Sequence, residues 1–199
     1  MDLTKRFFQK LVLASLLSFS TYAYGQNSIG LDINSDDVEV VASLNLNALT
    51  SYSDGTNYLL DLNYLHLASN KDTDGANMTS VSVMGQNTLQ GVEDLTLAFG
   101  LKTVFISDFL AVPFTFRGVY TLPLVDQIPT STLALSLSYA PSTLTFREGE
   151  SYSDVRLEAD MEIIHNIHLF TGYRNIKTEY EKDDKTFNSS VYGGIKLTF

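Results

Sequence analysis

Polar and apolar residues alternate along most of this chain with a period of two. The clearest run is 154–163. Asp154, Arg156, Glu158, Asp160 and Glu162 share one face, and Val155, Leu157, Ala159, Met161 and Ile163 share the other. Successive side chains of a strand point to opposite faces, whereas a helix would mix these two sets. Leu133, Leu135, Leu137 and Tyr139 likewise alternate with Thr132, Ala134, Ser136 and Ser138. Leu95, Leu97, Phe99 and Leu101 alternate with Thr96, Ala98, Gly100 and Lys102. Val112, Phe114, Phe116 and Tyr120 oppose Pro113, Thr115, Arg117 and Thr121, and Val40, Ala42, Leu44 and Leu46 oppose Val41, Ser43, Asn45 and Asn47. The last run sets Val191, Gly193, Ile195, Leu197 and Phe199 against Tyr192, Gly194, Lys196 and Thr198. Weaker runs cover 28–34, 56–67, 78–88 and 167–178. The pattern predicts an all-β chain of about ten strands, or eight if the first run stays outside the sheet or two weak runs merge.

The connections sort by length. Polar stretches at 69–77, 144–151 and 180–188 read as long loops, and all three fall on one side of the predicted sheet. Ser107-Asp108 and 164–166 read as tight turns, as do Ser35 to Asp37, Tyr52 to Thr56 and Gly91 to Asp94. Residues 124–130, with Pro129, make a moderate turn. An even strand number with short turns at one end and long loops at the other predicts a single antiparallel transmembrane barrel of the outer-membrane type.

The first 25 residues follow a different rule. Lys5, Arg6 and Lys10 precede an apolar run from Leu11 to Phe19, and Ala23-Tyr24-Gly25 places small residues before Gln26. That is the pattern of a secretory signal peptide, with an apolar run far shorter than the ~20 residues of a spanning helix. We therefore expect a leader at 1–25, a barrel domain at 26–199, and export through the periplasm to the cell outer membrane. Loss of the leader moves the formal charge from −10 to −12. An acidic chain is poorly suited to nucleic acid, which needs basic surface. With no cysteine, stability in an oxidising compartment must come without disulfides.

Alternation alone does not say which face meets lipid. The polar face is rich in Gly, Ala, Ser, Thr and Asn with charges of both signs, which suits a narrow lumen better than a solvent-exposed surface, where Lys and Glu dominate. The charges expected inside are Asp32, Asp61, Lys102, Arg117, Asp154, Arg156, Glu158, Asp160, Glu162, Arg174 and Lys196. Five positive and six negative groups stand close to balance, so a packed, ion-paired interior is expected rather than an open pore, with the acidic excess in loops. Outward aromatics are expected near strand ends. Tyr58, Tyr120 and Phe199 lie toward one membrane surface, and Phe105, Tyr139 and Tyr173 toward the other.

The chain ends in phenylalanine after apolar residues at every second position. Tyr192, Ile195, Leu197 and Phe199 resemble the terminal strand by which outer-membrane barrels are recognised by the assembly machinery. The C-terminal 70 residues resemble the YfaZ family of outer-membrane proteins. The resemblance is carried by Leu137-Ser-Tyr139-Ala-Pro141-Ser, Ser151-Tyr152-Ser153-Asp154, Gly172-Tyr173-Arg174-Asn175 and Val191-Tyr192-Gly193-Gly194-Ile195-Lys196-Leu197-Thr198-Phe199. It implies an outer-membrane location and no catalytic residues.

Enzymatic signatures are absent. His66, His165 and His168 stand in no recognisable hydrolase pattern, and neither a phosphate loop nor His/Cys metal spacing occurs. Asp72-Thr73-Asp74-Gly75 suggests calcium, but Val83 stands where a calcium loop needs its glutamate. The acidic stretch with Glu179, Glu181, Asp183 and Asp184 could meet divalent cations at the lipopolysaccharide surface. Asp154, Glu158, Asp160 and Glu162 could form a constriction selective for cations. No cofactor is expected. The expected partners are outer-membrane lipid, lipopolysaccharide and the barrel-assembly machinery. Three roles compete: a structural or interaction barrel, a small porin-like channel for ions or small solutes, and a soluble periplasmic barrel holding an apolar ligand.

Overall fold

A computed structural model describes residues 27–49, 55–68, 75–123, 129–180 and 183–199, with the backbone alone at 48–49 and 183–185. The expected leader at 1–25 lies outside these residues, as do 69–74 of the expected loop at 69–77, including Asp72, Thr73 and Asp74, and Glu181.

The described strands are β1 (Ser28–Ile33), β2 (Asp37–Asn45), β3 (Asn57–Leu67), β4 (Ala76–Leu89), β5 (Val92–Ile106), β6 (Phe109–Ala111), β7 (Phe114–Thr121), β8 (Ser131–Ala140), β9 (Thr145–Arg147), β10 (Gly149–Ile164), β11 (Ile167–Tyr180) and β12 (Asp183–Thr198). They make ten wall positions. β5 pairs with β7 from Leu95 to Leu101 and with β6 from Val104 to Ile106, so β6 and β7 are one wall strand interrupted at Val112-Pro113. Proline cannot donate to the ladder, which is why the pairing stops there. β8 and β9 form a second interrupted strand, broken by Pro141 and a 3-10 turn at Ser142–Leu144. β1 pairs antiparallel with β12, Ser28 against Thr198 through Ile33 against Gly193, and this closes the ring. The chain is an all-β, closed, ten-stranded antiparallel barrel.

The register fixes its shape. The row of paired residues that leaves β4 at Asn77 passes through His66, Val38, Ile33, Gly193, Thr171, Ala159, Leu133, Tyr120 and Leu95. It returns to β4 beside Leu89, a stagger of about 12 residues. With ten strands ~4.8 Å apart and ~3.3 Å per residue, this stagger tilts the strands by about 40°.

Apolar residues face out. Phe99, Leu101, Leu135, Leu157, Leu169 and Ile195 are exposed on the outside, whereas Asp32, Glu39, Asp154 and Arg174 are buried inside. Tyr64, Phe105, Phe114, Tyr139 and Tyr173 mark the upper limit of the outward apolar belt, and Tyr58 and Tyr120 its lower limit, all of them exposed. From the register and tilt these two levels lie roughly 15–20 Å apart along the axis. A soluble barrel would have the opposite polarity.

Three sequence expectations are corrected. Residues 144–151 are not a long loop: they hold β9, a turn at Glu148 and the start of β10. Residues 180–188 are the paired tips of β11 and β12, with Glu179 opposite Asp184. These tips rise above the belt, so their outward residues Asn175, Lys177 and Thr186 are polar, and the alternation that marks a strand disappears. Long connections also occur at the end carrying the termini, between β2 and β3 and between β7 and β8. Loop length therefore does not distinguish the two ends; the overhang of β10–β12 does.

Candidate functional site

Inward residues of each strand build the lumen in three layers. At the end carrying the termini lies a polar vestibule. Arg117 Nη2 donates to Asp61 Oδ2 at 2.8 Å, and Ser43 Oγ donates to Asp61 Oδ1 at 2.6 Å. Lys196 Nζ lies 2.5 Å from Asp160 Oδ2 and 3.7 Å from Glu158 Oε1. His168 Nδ1 stands 2.7 Å from Asp160 Oδ1. These groups line a cavity of about 520 Å³ together with hydroxyls such as Ser80, Thr115, Ser136 and Ser138.

Above the vestibule is a plate of ion pairs. Arg174 is fully buried and donates to Asp32 Oδ1 at 3.0 Å, to Asp37, to Glu39 and to Asn188 Oδ1 at 3.0 Å. The Tyr192 ring lies 4.8 Å from its guanidinium carbon. Arg156 Nη1 donates to both Glu39 oxygens, at 2.8 and 2.9 Å, and its Nε donates to Asp154 Oδ1 at 3.2 Å. Lys102 Nζ donates to Asp154 Oδ2 at 2.8 Å. The plate ties together β1, β2, β5, β10 and β11. Its charges are buried, and each is held because neighbours of opposite sign replace the lost water.

A glycine makes room for the aromatic partner. A Cβ at Gly172 would stand 2.6 Å from the Tyr192 hydroxyl and 2.6 Å from the Leu157 carbonyl oxygen. Any larger residue there pushes Tyr192 off Arg174.

The far end is sealed by an apolar cap inside the barrel. Leu65, Met78, Val104, Phe109, Ala111, Ala140, Tyr152 and Ile176 are buried together, with Leu67, Leu144, Tyr180 and Phe187 packed against them. Phe187 is the extra residue of a β-bulge, since Ile176 pairs with Asn188 and Lys177 with Thr186. Phe109 packs edge-on to Tyr180, ring centroids 5.4 Å apart, and tilted to Tyr152 at 6.2 Å.

The expected lumen charges Asp32, Asp61, Lys102, Arg117, Asp154, Arg156, Glu158, Asp160, Arg174 and Lys196 all reach this interior. Glu162 does not join them: it sits at the rim, where its Oε1 accepts the Asn166 N–H at 3.0 Å and lies 3.8 Å from His165. The near-balance of interior charge is also corrected. Asp37 and Glu39 are buried in the plate, which leaves carboxylates in excess inside. Glu39 shares the parity of Val41 and Ser43, so the alternation pointed to it; Asp37 read as a turn residue. His168, which was not among the expected lumen residues, is a lumen group. His66 is outside, its Nδ1 2.7 Å from Asn77 Oδ1. Of the terminal residues, Ile195 and Leu197 face out, whereas Tyr192 faces in. Glu179 accepts a hydrogen bond from Ser151 Oγ at 2.5 Å on the exposed tip.

No family model and no curated protein matches this chain. Solved structures similar to this chain include two porins and an outer-membrane secretin. The chain matches a KdgM porin at TM-score 0.45 and 11% identity, over 87% of this chain and 98% of that one. It matches the NanC porin at TM-score 0.42 and 10% identity, over 88% and 98%. A bacterial polysaccharide outer-membrane secretin matches at TM-score 0.40 and 12% identity, over 86% of this chain and 67% of the secretin. The YfaZ resemblance stands on the C-terminal stretches alone.

Proposed function

We propose that this chain is an integral outer-membrane barrel that rests closed. The single observation that carries this reading is the inversion of polarity: a continuous apolar belt outside, bounded by aromatic rings, around an ion-paired interior. Soluble proteins rarely leave so large an apolar surface exposed, and spanning barrels require it. In this reading residues 1–25 are a leader. The termini face the periplasm, and the polar overhang of β10–β12 faces outward to lipopolysaccharide. The outward residues Ile195 and Leu197, with Phe199, meet the assembly machinery. The sealed cap suits a structural or interaction role for the exposed tips.

The cavity favours a second reading, a small channel for cations. Its lining holds Asp32, Glu39, Asp61, Asp154, Glu158 and Asp160 against Lys102, Arg117, Arg156 and Lys196, an acidic excess that would attract cations. The membrane reading is tested by attaching a fluorophore to single cysteines and adding lipids brominated along their tails. Labels at Phe99, Leu157 or Leu169 should be strongly quenched and labels at Lys177 weakly. Equal quenching at belt and tip positions would refute it.

A further inference from the structure

Two neighbouring wall strands are broken at the same height. The breaks at Val112-Pro113 and Pro141–Leu144 face each other, with Val112 N–H donating to the Leu144 carbonyl at 2.8 Å. Above them β6 and β9 form a small flap. It is joined to the wall through the ladder from Val104–Ala111 to Ile106–Phe109, and inside it Phe109 pairs with Arg147 and Ala111 with Thr145. Its tip is knitted by Arg147 Nη1 donating to the Ser107 carbonyl at 2.7 Å. The opposite edge carries no ladder: among the described residues β9 has β6 as its only strand partner, and it touches β10 through the Thr145 hydroxyl donating to the Glu150 carbonyl at 3.1 Å. The flap is thus laddered to β5 along one side; along the other it has no ladder and is tied to β10 through the turn at Glu148.

Its inner surface is part of the seal. Phe109 and Ala111 are fully buried in the cap. Phe109 reaches across to β10 and β11 because position 149 is glycine: a Cβ there would lie 2.6 Å from the Phe109 ring. Directly beneath, the lumen cavity already extends to Lys102, Ser138 and Asp154. The Tyr152 hydroxyl donates to Asp154 Oδ2 at 3.4 Å, and Lys102 Nζ stands 5.8 Å from the Tyr152 ring centre. Tyr152, Ala140, Val104 and Met78 are buried with the flap residues in the cap above this cavity, the Tyr152 hydroxyl 3.9 Å from Met78 Sδ.

We propose that the β6–β9 flap is a lid that gates the lumen. It swings on the β5–β6 ladder, with the two proline-marked breaks as the points where it parts from β7 and β8 and with Phe109 as its bolt. The proposal rests on the channel reading above. An apolar constriction of this kind blocks ions by excluding water, and withdrawing Phe109 joins the vestibule to the far end.

The test uses the full barrel refolded from the cysteine-free chain. Phe109→Cys and Gly149→Cys are introduced together and bridged by a short, reducible bis-thiol reagent, and current is recorded across planar lipid bilayers. The bridged barrel should be silent, and reduction should raise its open probability at least tenfold. Gly149→Leu, which occupies the bolt's seat, should raise it similarly without any reagent. Heat-dependent gel mobility verifies that each variant is folded. Equal currents before and after reduction, or a folded Gly149→Leu barrel that conducts as the wild type does, would overturn the lid. If wild type, reduced and Gly149→Leu barrels are all folded, inserted and silent, the channel reading falls and takes the lid with it.

Discussion

Replacing Arg174 by methionine probes the ion-pair plate at its centre. Methionine keeps most of the apolar stem and removes the guanidinium. Four polar partners lose their donor: Asp32, Asp37, Glu39 and Asn188. Glu39 keeps Arg156 at 2.8 Å, and Asp37 keeps the neutral donors Asn188 Nδ2 at 2.8 Å and Ser190 Oγ at 3.2 Å. Asp32 keeps no cation within ion-pair distance among the described residues. Breaking a buried pair from one side typically costs about 3–5 kcal/mol, because the surviving charge remains desolvated. Arg117→Met is the control. The Arg117 side chain is 32% exposed and among the described residues pairs only with Asp61, which keeps the Ser43 hydroxyl at 2.6 Å, so a smaller loss of about 1–2 kcal/mol is expected. Urea unfolding of the refolded barrel in lipid vesicles, followed by far-ultraviolet circular dichroism and gel mobility, gives both values. Adding Asp32→Asn and Asp37→Asn to Arg174→Met should recover a large part of the loss, since the orphaned charges go with their partner. An Arg174→Met barrel within about 1 kcal/mol of wild type, or no weaker than Arg117→Met, would refute the plate as the structural centre of the lumen.

Other predictions follow from the two faces. Leu157→Arg, in the middle of the outward belt, should cost about 2–4 kcal/mol in bilayers, and the same unfolding assay measures it. Gly172→Leu should destabilise by about 1–3 kcal/mol through overpacking against Tyr192, with loss of heat-stable mobility as the readout. If the lumen conducts, the wild type should prefer potassium over chloride in a salt gradient, and Asp61→Asn with Asp160→Asn should shift the reversal potential toward chloride. Conservation of the wild-type reversal potential would remove the lumen carboxylates from the pathway.

The alternation in the sequence located the wall well where one face was apolar and the other polar. β10 is the clearest instance: Val155 to Ile163 point out and Asp154 to Asp160 point in, as the period requires. It failed where both faces share a character. Along the tip of β12 the outward Thr186 and the inward Asn188 are both polar, so a strand looked like a loop. In the cap the reverse holds, because Ile176 and Phe187 are apolar and inside. The interior charges were legible one by one through parity. Their pairing was not, since Arg174 and Glu39 are 135 residues apart in sequence and meet only because β1, β2, β12 and β11 are successive neighbours. The flap was illegible for a similar reason. Val112-Pro113 read as ordinary strand residues and 144–151 as a loop until β6 pairs with β9.

Membrane fractionation with a gel-mobility readout tests the central reading most directly. The full-length chain is expressed in a Gram-negative host, the outer membrane is separated and washed with carbonate, and samples are run with and without boiling. An integral barrel stays in the washed membrane and migrates faster unboiled than boiled. A chain released by the wash into the soluble fraction, with one mobility at both temperatures, would contradict the account.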